Sequence, residues 1–327
     1  MKRPPATVFP LILLLLLVGT PGSAQMQAAL DEQGRPQNDD KKSQTKRDDQ
    51  GQKIGVFEVR LPVSVKEKNR FIGGLNVNNF EVYEDGKRQS ITNFMAPSQL
   101  PLNIALLIDT SNSVKLKLPF EKDAGEDFIA TVTTRRKKDQ ILLASFDSDC
   151  ELHVDFTDDQ ERLIRELRKV KAGGVTAMYD CVSRVVEEKM ATLSGNESRR
   201  VLVILSDGED TASRRTLRET IEIAQRYDVT VFGISTKNFK GTGSGTVESK
   251  DDKELRGLCE TTGGQVFLPS QKIELFRSFS DISHDLRQEY VLFYKPAMQE
   301  STGKEREIKV KLVHADGSLF YKRGYKY

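Results

Sequence analysis

The sequence predicts a doubly wound α/β domain with a mostly parallel sheet, inserted in a small β-sandwich formed by both chain ends. Three observations carry this prediction. Between residues 100 and 288, short aliphatic strands alternate with segments of helical period, the pattern of a parallel sheet covered by helices on both faces. Residues 56–97 and 289–327 change to a period of two, with turn residues between the runs. Finally, an aliphatic strand ends abruptly in an oxygen-rich loop, at the strand end where ligands bind in open α/β sheets.

At 327 residues the chain exceeds one ordinary domain. Met1-Lys2-Arg3, the apolar run Leu11 to Val18, and Gly19, Pro21 and Gly22-Ser23-Ala24 follow the layout of a secretory signal peptide over 1–24, cleaved after Ala24. That run is short for a bilayer span, so an uncleaved anchor is the less favoured reading. With no other stretch able to cross a membrane, the mature chain is expected to have no transmembrane segment and to be exported, periplasmic or extracellular. Residues 25–53 are polar, with mixed charges such as Asp39-Asp40-Lys41-Lys42. They lack the apolar surface that offsets ordering entropy and read as a disordered linker.

In 56–97, Val56 to Leu61, Val63 to Val65 and Phe80 to Tyr83 alternate, separated by Asn69, Gly73-Gly74, Asn78-Asn79 and the hairpin dipeptide Asp85-Gly86. Three or four strands of this kind bury too little to stand alone. The missing strands lie at the other end: Glu289 to Tyr294, stopped by Pro296, then Arg306 to Val313, Asp316-Gly317, and Ser318 to Tyr325. Between these ends, strands are expected at 103–108, 140–146, 151–156, 201–206, 229–235 and 264–268. Helices are expected near 116–134, 159–170, 178–193, 214–227, 252–261 and 272–287. Only Asp147-Ser148-Asp149-Cys150 joins 140–146 to 151–156, too short for a parallel crossover, so 151–156 should be an antiparallel edge strand.

The run Ile104 to Ile108 stops at Asp109-Thr110-Ser111-Asn112-Ser113. One carboxylate and two hydroxyls at alternate positions are hard oxygen donors, suited to Mg²⁺ or Mn²⁺. The spacing Asp109-x-Ser111-x-Ser113 resembles the metal-ion-dependent adhesion site of von Willebrand factor type A domains. The resemblance implies two further pieces. Gly173 to Asp180 looks like the second loop and makes Thr176 a third hydroxyl; Val201 to Leu205, ending in Ser206-Asp207-Gly208-Glu209-Asp210, makes Asp207 a second carboxylate. Helix capping explains each loop alone but not all of them together. Two residues depart from the family pattern: Asn112 stands where Gly is common, though Asn tolerates left-handed backbone, and Val114 stands where Met is common.

The flanking segments are similar to a family of secreted bacterial proteins related to von Willebrand factor A. The residues that carry this are Gly74-Leu75, Phe80, Val82, Glu84-Asp85-Gly86, Gln89, Ile91 and Phe94, and the likeness spans residues 56–327.

Other features have simpler readings. Asn238 to Asp252, with Gly241, Gly243 and Gly245, reads as a flexible loop, because Glu248, Asp251 and Asp252 would repel phosphate. Asp147 and Asp149 suit a turn, and Asp180 is expected to make structural hydrogen bonds beneath the Thr176 loop. Three cysteines allow at most one internal disulfide, with Cys150–Cys181 the pairing to test first; buried free thiols are the alternative. His153, His284 and His314 form no cluster.

The predicted function is a non-enzymatic binding and adhesion module. The resemblance implies that Ser111, Ser113 and Thr176 hold the ion directly, with Asp109 and Asp207 acting through water or as counter-charges. A Mg²⁺ site keeps open positions, and a partner protein presenting Asp or Glu can fill one. A net charge of +2 gives no case for nucleic acid, and Glu209, Asp210 and the Asp147 turn are expected to ring the site with negative charge. One alternative is a metal-dependent phosphohydrolase with Asp109 as nucleophile, although Ser111 stands where a second carboxylate is wanted. Another is a structural envelope component with no metal-bridged ligand.

Overall fold

The computed structural model describes residues 58–326 apart from 69, 97–100, 136–137, 194–197, 208, 238–248 and 298–302, together with short strands at Lys46–Arg47 and Lys53–Ile54. Residues 54–327 form one compact unit. The leader 1–24 and, apart from those short strands, the linker 25–53 lie outside the described residues, as does 238–248 of the glycine-containing loop.

The N-terminal strands are β1 (Val59–Glu67), β2 (Arg70–Phe71), β3 (Phe80–Glu84), β4 (Lys87–Gln89) and β5 (Ile91–Met95). That is five, not three or four: Lys87-Arg88-Gln89 is too polar to show alternation but still pairs with β3 as a sheet edge. The inserted region contributes β6 (Leu102–Asp109), α1 (Leu118–Arg135), β7 (Gln140–Phe146), β8 (Cys150–Thr157), α2 (Gln160–Lys169) and α3 (Met178–Val185). It continues through β9 (Arg199–Ser206), α4 (Leu217–Arg226), β10 (Val229–Ser235), α5 (Lys250–Thr261), β11 (Val266–Phe267) and α6 (Lys272–Asp285). The chain closes with β12 (Tyr290–Tyr294), β13 (Glu305–Leu312), β14 (Ser318–Tyr321) and β15 (Gly324–Lys326).

Several expected elements differ in extent; the helix expected near 214–227, for example, is α4, Leu217–Arg226. The helix expected at 178–193 changes after Val185 to a π turn, Val186–Met190. The helix expected from 116 starts at Leu118, after a 3₁₀ turn at Asn112–Val114. The strand expected at 264–268 shortens to β11.

The central sheet has the order β8-β7-β6-β9-β10-β11, parallel except for β8, which pairs antiparallel with β7. All eight residues of β6 are buried, which is why its sequence is continuously apolar rather than alternating. Its even positions, Ile104, Leu106 and Ile108, pack with residues of α1, α2 and α6; Ala105 and Leu107 face α3, α4 and α5. The chain leaves β6 for β7 on one side and later returns to place β9 on the other. The crevice between β6 and β9 is therefore the topological switch point, where ligands bind in such folds.

The sandwich draws each sheet from both chain ends. One runs β14-β1-β12-β5 with β2 beside β1; the other runs β15-β13-β3-β4. Between them lie Val59, Leu61, Val63, Phe80 and Val82 from the first segment and Tyr290, Leu292, Tyr294, Ile308 and Val310 from the last. The hairpin dipeptide Asp85-Gly86 takes left-handed φ of 48° and 77°, the requirement of a tight two-residue turn. Just before it, buried Glu84 accepts hydrogen bonds from Arg306, Tyr294 and Tyr325, each at 2.8 Å. Buried ion pairs Lys66–Asp285 and Arg199–Glu289 tie the sandwich strands and their junction to the inserted domain.

Candidate functional site

The loops at the carboxyl ends of β6 and β9 meet the loop before α3. Asp109 is fully buried. One of its oxygens accepts from the Ser111 backbone N–H at 2.8 Å and the other from the Ser206 hydroxyl at 2.5 Å. Ser111 stands at the N-terminus of the 3₁₀ turn, but its side chain makes no capping bond there. Its hydroxyl instead lies 2.8 Å from that of Ser113. The simple capping explanation therefore fails for Ser111.

The second loop is laced to the first. Gly173 N–H donates to Thr110 O at 2.6 Å, and both the backbone and side-chain amides of Asn112 donate to Gly174 O, at 3.2 and 3.0 Å. Asn112 thus does what the more common Gly could not, tying the two loops with its side chain. Gly174 has φ +77°, and a Cβ there would sit 2.7 Å from Ser148 Oγ, so only glycine fits. Thr176 O accepts from Thr211 and Ala212 N–H at 2.9 and 3.0 Å, joining the third loop. Asp207 follows Ser206 and is buried, and its Oδ1 has no hydrogen-bond partner.

All five sequence-selected residues, Asp109, Ser111, Ser113, Thr176 and Asp207, therefore lie on three mutually bonded loops over the β6/β9 crevice. Burial pushes the Asp109 carboxyl up to about 6; hydrogen bonds from Ser206 and Ser111 oppose this, and the charge of Asp207 adds to it. The donor set fits a hard divalent ion: it is rich in oxygen, carries two carboxylates, and leaves a buried carboxylate oxygen unused.

The neighbours behave more locally. Asp147 accepts from Asp149 N–H at 3.1 Å within its turn, and Asp180 accepts from Arg214 and Arg215 N–H at 3.0 and 2.9 Å. Asp210 corrects the expected negative rim. Its carboxylate is turned inward, accepting from Tyr179 N–H and from both donors of Ser213. Glu209 and the Asp147 turn stay at the surface, which also has an apolar component, with Leu116 88% and Val175 52% exposed. Cys150 and Cys181 form a disulfide that staples β8 to α3, and Cys259 is free and buried.

Sequence reasoning missed Glu121, in the first turn of α1. It is fully buried, and burial, with the nearby charges of Asp109 and Asp207, pushes its carboxyl up to about 8; the Thr236 hydroxyl opposes the shift. An acidic residue in a helix's first turn is so ordinary that it carries no signal. Beside the same loops, His153 Nε2 lies 2.7 Å from the Ser145 hydroxyl in a cavity of about 470 Å³.

No curated protein sequence matches the chain. Among solved structures, it is similar to a von Willebrand factor type A protein from Catenulispora acidiphila, with 12% identity, TM-score 0.47, and coverage of 80% of this chain and 74% of that one. It is also similar to the vWF domain of the type V pili tip protein Mfa5 from Porphyromonas gingivalis, with 13% identity, TM-score 0.45, and coverage of 57% and 95%. A third is a mutant of the PilB minor pilin from Streptococcus sanguinis, with 14% identity, TM-score 0.45, and 58% of this chain covered; the match spans only 62% of the pilin's own length. The model of the von Willebrand factor type A domain matches residues 103–281, more than half of the sequence. The chain belongs to the von Willebrand factor type A domain family.

Proposed function

We propose that this chain is an exported binding module in which Mg²⁺ or Mn²⁺, held by Ser111, Ser113 and Thr176 with Asp109 and Asp207 close by, accepts an Asp or Glu side chain from a partner protein. The observation that carries this reading is the paired serine hydroxyls, 2.8 Å apart, together with a buried Asp207 oxygen without a partner on the adjoining strand end. Bound there, the ion would act as an electrophilic bridge, because neutral hydroxyls leave it short of charge. Exposed Leu116 and Val175 sit on the two bonded loops and offer apolar contacts around such a bridge.

Two further observations favour binding over turnover and export over retention. A phosphohydrolase nucleophile at Asp109 would need a free oxygen, and both of its oxygens accept hydrogen bonds in a fully buried position. The Cys150–Cys181 disulfide suits an oxidising compartment, in keeping with the leader read at 1–24. Among the described residues, no helix is long and apolar enough to cross a membrane.

The test is capture of partners from envelope extract. Partner capture is expected to disappear with EDTA, return with Mg²⁺ or Mn²⁺, and fail for Thr176→Ala. Capture that ignores EDTA would refute the bridging mechanism and point to the sandwich as the contact surface.

A further inference from the structure

Behind the ligand loops lies a group of buried polar atoms that hydrogen bonding leaves unused. Neither carboxylate oxygen of Glu121 has a hydrogen-bond partner, and the residue is fully buried. Thr236, one residue beyond β10, is equally buried with an unpartnered hydroxyl, while its backbone N–H donates to Ser206 O at 2.8 Å. The Thr236 hydroxyl is near enough to favour a charged Glu121 but does not reach hydrogen-bond geometry. Asp207 Oδ1 is the remaining atom of the group. Three elements thus carry unused buried oxygens, α1, the end of β10 and the end of β9, and Glu121 feels the charges of Asp109 and Asp207 and the Thr236 hydroxyl.

An unpartnered buried carboxylate is costly, and two further carboxylates nearby make it more so. If position 121 served packing alone, an apolar residue or Gln would serve better. Among the described residues, no three acidic, histidine or cysteine side chains converge closely enough to share an ion. Glu121 is therefore read as acting through its neighbours and not as an ion ligand.

We infer that Glu121 is a positioning residue of the metal centre, acting with Thr236 beside Asp207 and contributing a third negative charge when a divalent ion is bound. This rests on the metal-binding reading above. The ion supplies the positive charge that offsets the carboxylate repulsion, and the Thr236 hydroxyl, which Thr236→Val removes, favours the charged form of Glu121.

The test compares wild type, Glu121→Gln and Thr236→Val by Mn²⁺ titration calorimetry and by thermal melting in EDTA. Loss of an outer-shell partner is expected to weaken Mn²⁺ binding on the order of ten-fold. In EDTA at pH 8, Glu121→Gln should melt about 2–4 °C higher than wild type, because the buried carboxyl no longer has to hold a proton or carry an unpartnered charge. A purely structural Glu121 would do the reverse: the variant would melt lower and bind Mn²⁺ as wild type does, which would overturn the inference. Equal Mn²⁺ affinity in wild type and both variants would overturn it too, while leaving the metal site standing. If wild type itself takes up no Mn²⁺, the underlying reading falls and this inference with it. Should Glu121→Gln fail to fold, Thr236→Val decides: weakened binding supports the inference and unchanged binding refutes it.

Discussion

Two buried glutamates divide this molecule into a finished region and a poised one. In the sandwich, Glu84 accepts from Arg306, Tyr294 and Tyr325, so its charge is balanced and both oxygens are used. Beneath the sheet's loops, Glu121 is at least as buried and has no hydrogen-bond partner on either oxygen. The first arrangement holds together strands from opposite ends of the chain, and its donors all come from the C-terminal segment. The second has no hydrogen-bond donor on either oxygen. Burial is thus no measure of what a carboxyl group does: one with its own cation stabilises a fold, whereas one near other carboxylates is held up in its pKa by burial and by their charge.

The largest expected effect comes from breaking the finished region. Glu84→Ala removes the buried carboxylate on which Arg306, Tyr294 and Tyr325 converge, and should destabilise the protein by about 3–5 kcal/mol. Urea unfolding checks this. A loss below about 1 kcal/mol would mean that the network contributes little and that apolar packing alone joins the two chain ends.

A smaller effect, with a definite sign, is expected at Glu121. Its folded carboxyl is raised from the ordinary 4.5 to about 8. Between those values the folded state holds a proton that the unfolded state has released, so stability falls as pH rises through this window, by at most about 1.4 kcal/mol per pH unit. In EDTA, the stability of wild type should decline from pH 5 to pH 8, and Glu121→Gln should flatten that decline. The two proteins should converge near pH 5. Parallel curves would show that Glu121 keeps its charge at no cost.

The contrast also explains what the sequence made legible. The strands β6, β9 and β10 are buried along almost their whole length, so their aliphatic runs and polar stops stood out. The alternation of β1, β3 and β13 similarly reflects one face turned to the sandwich core. The three loops that meet over the β6/β9 crevice were legible because their spacing depends on loop geometry rather than on packing. Polar β4 was missed because an edge strand need not alternate. Glu121 was missed because its significance lies in what it lacks, and a missing partner is a property of three dimensions. Asp210 was misread for a related reason: a carboxylate close to Asp207 in sequence is turned inward by Tyr179 N–H and Ser213.

The measurement closest to the central claim is Mn²⁺ titration of the wild-type chain and of Asp109→Ala, with the melting of both recorded in EDTA. Wild type should take up the ion with a measurable heat. Asp109→Ala should take up none while still melting cooperatively, because the substitution lies at the end of β6 and leaves the sheet's apolar layers intact. Equal uptake by the two proteins, or none by the folded wild type, would contradict the account.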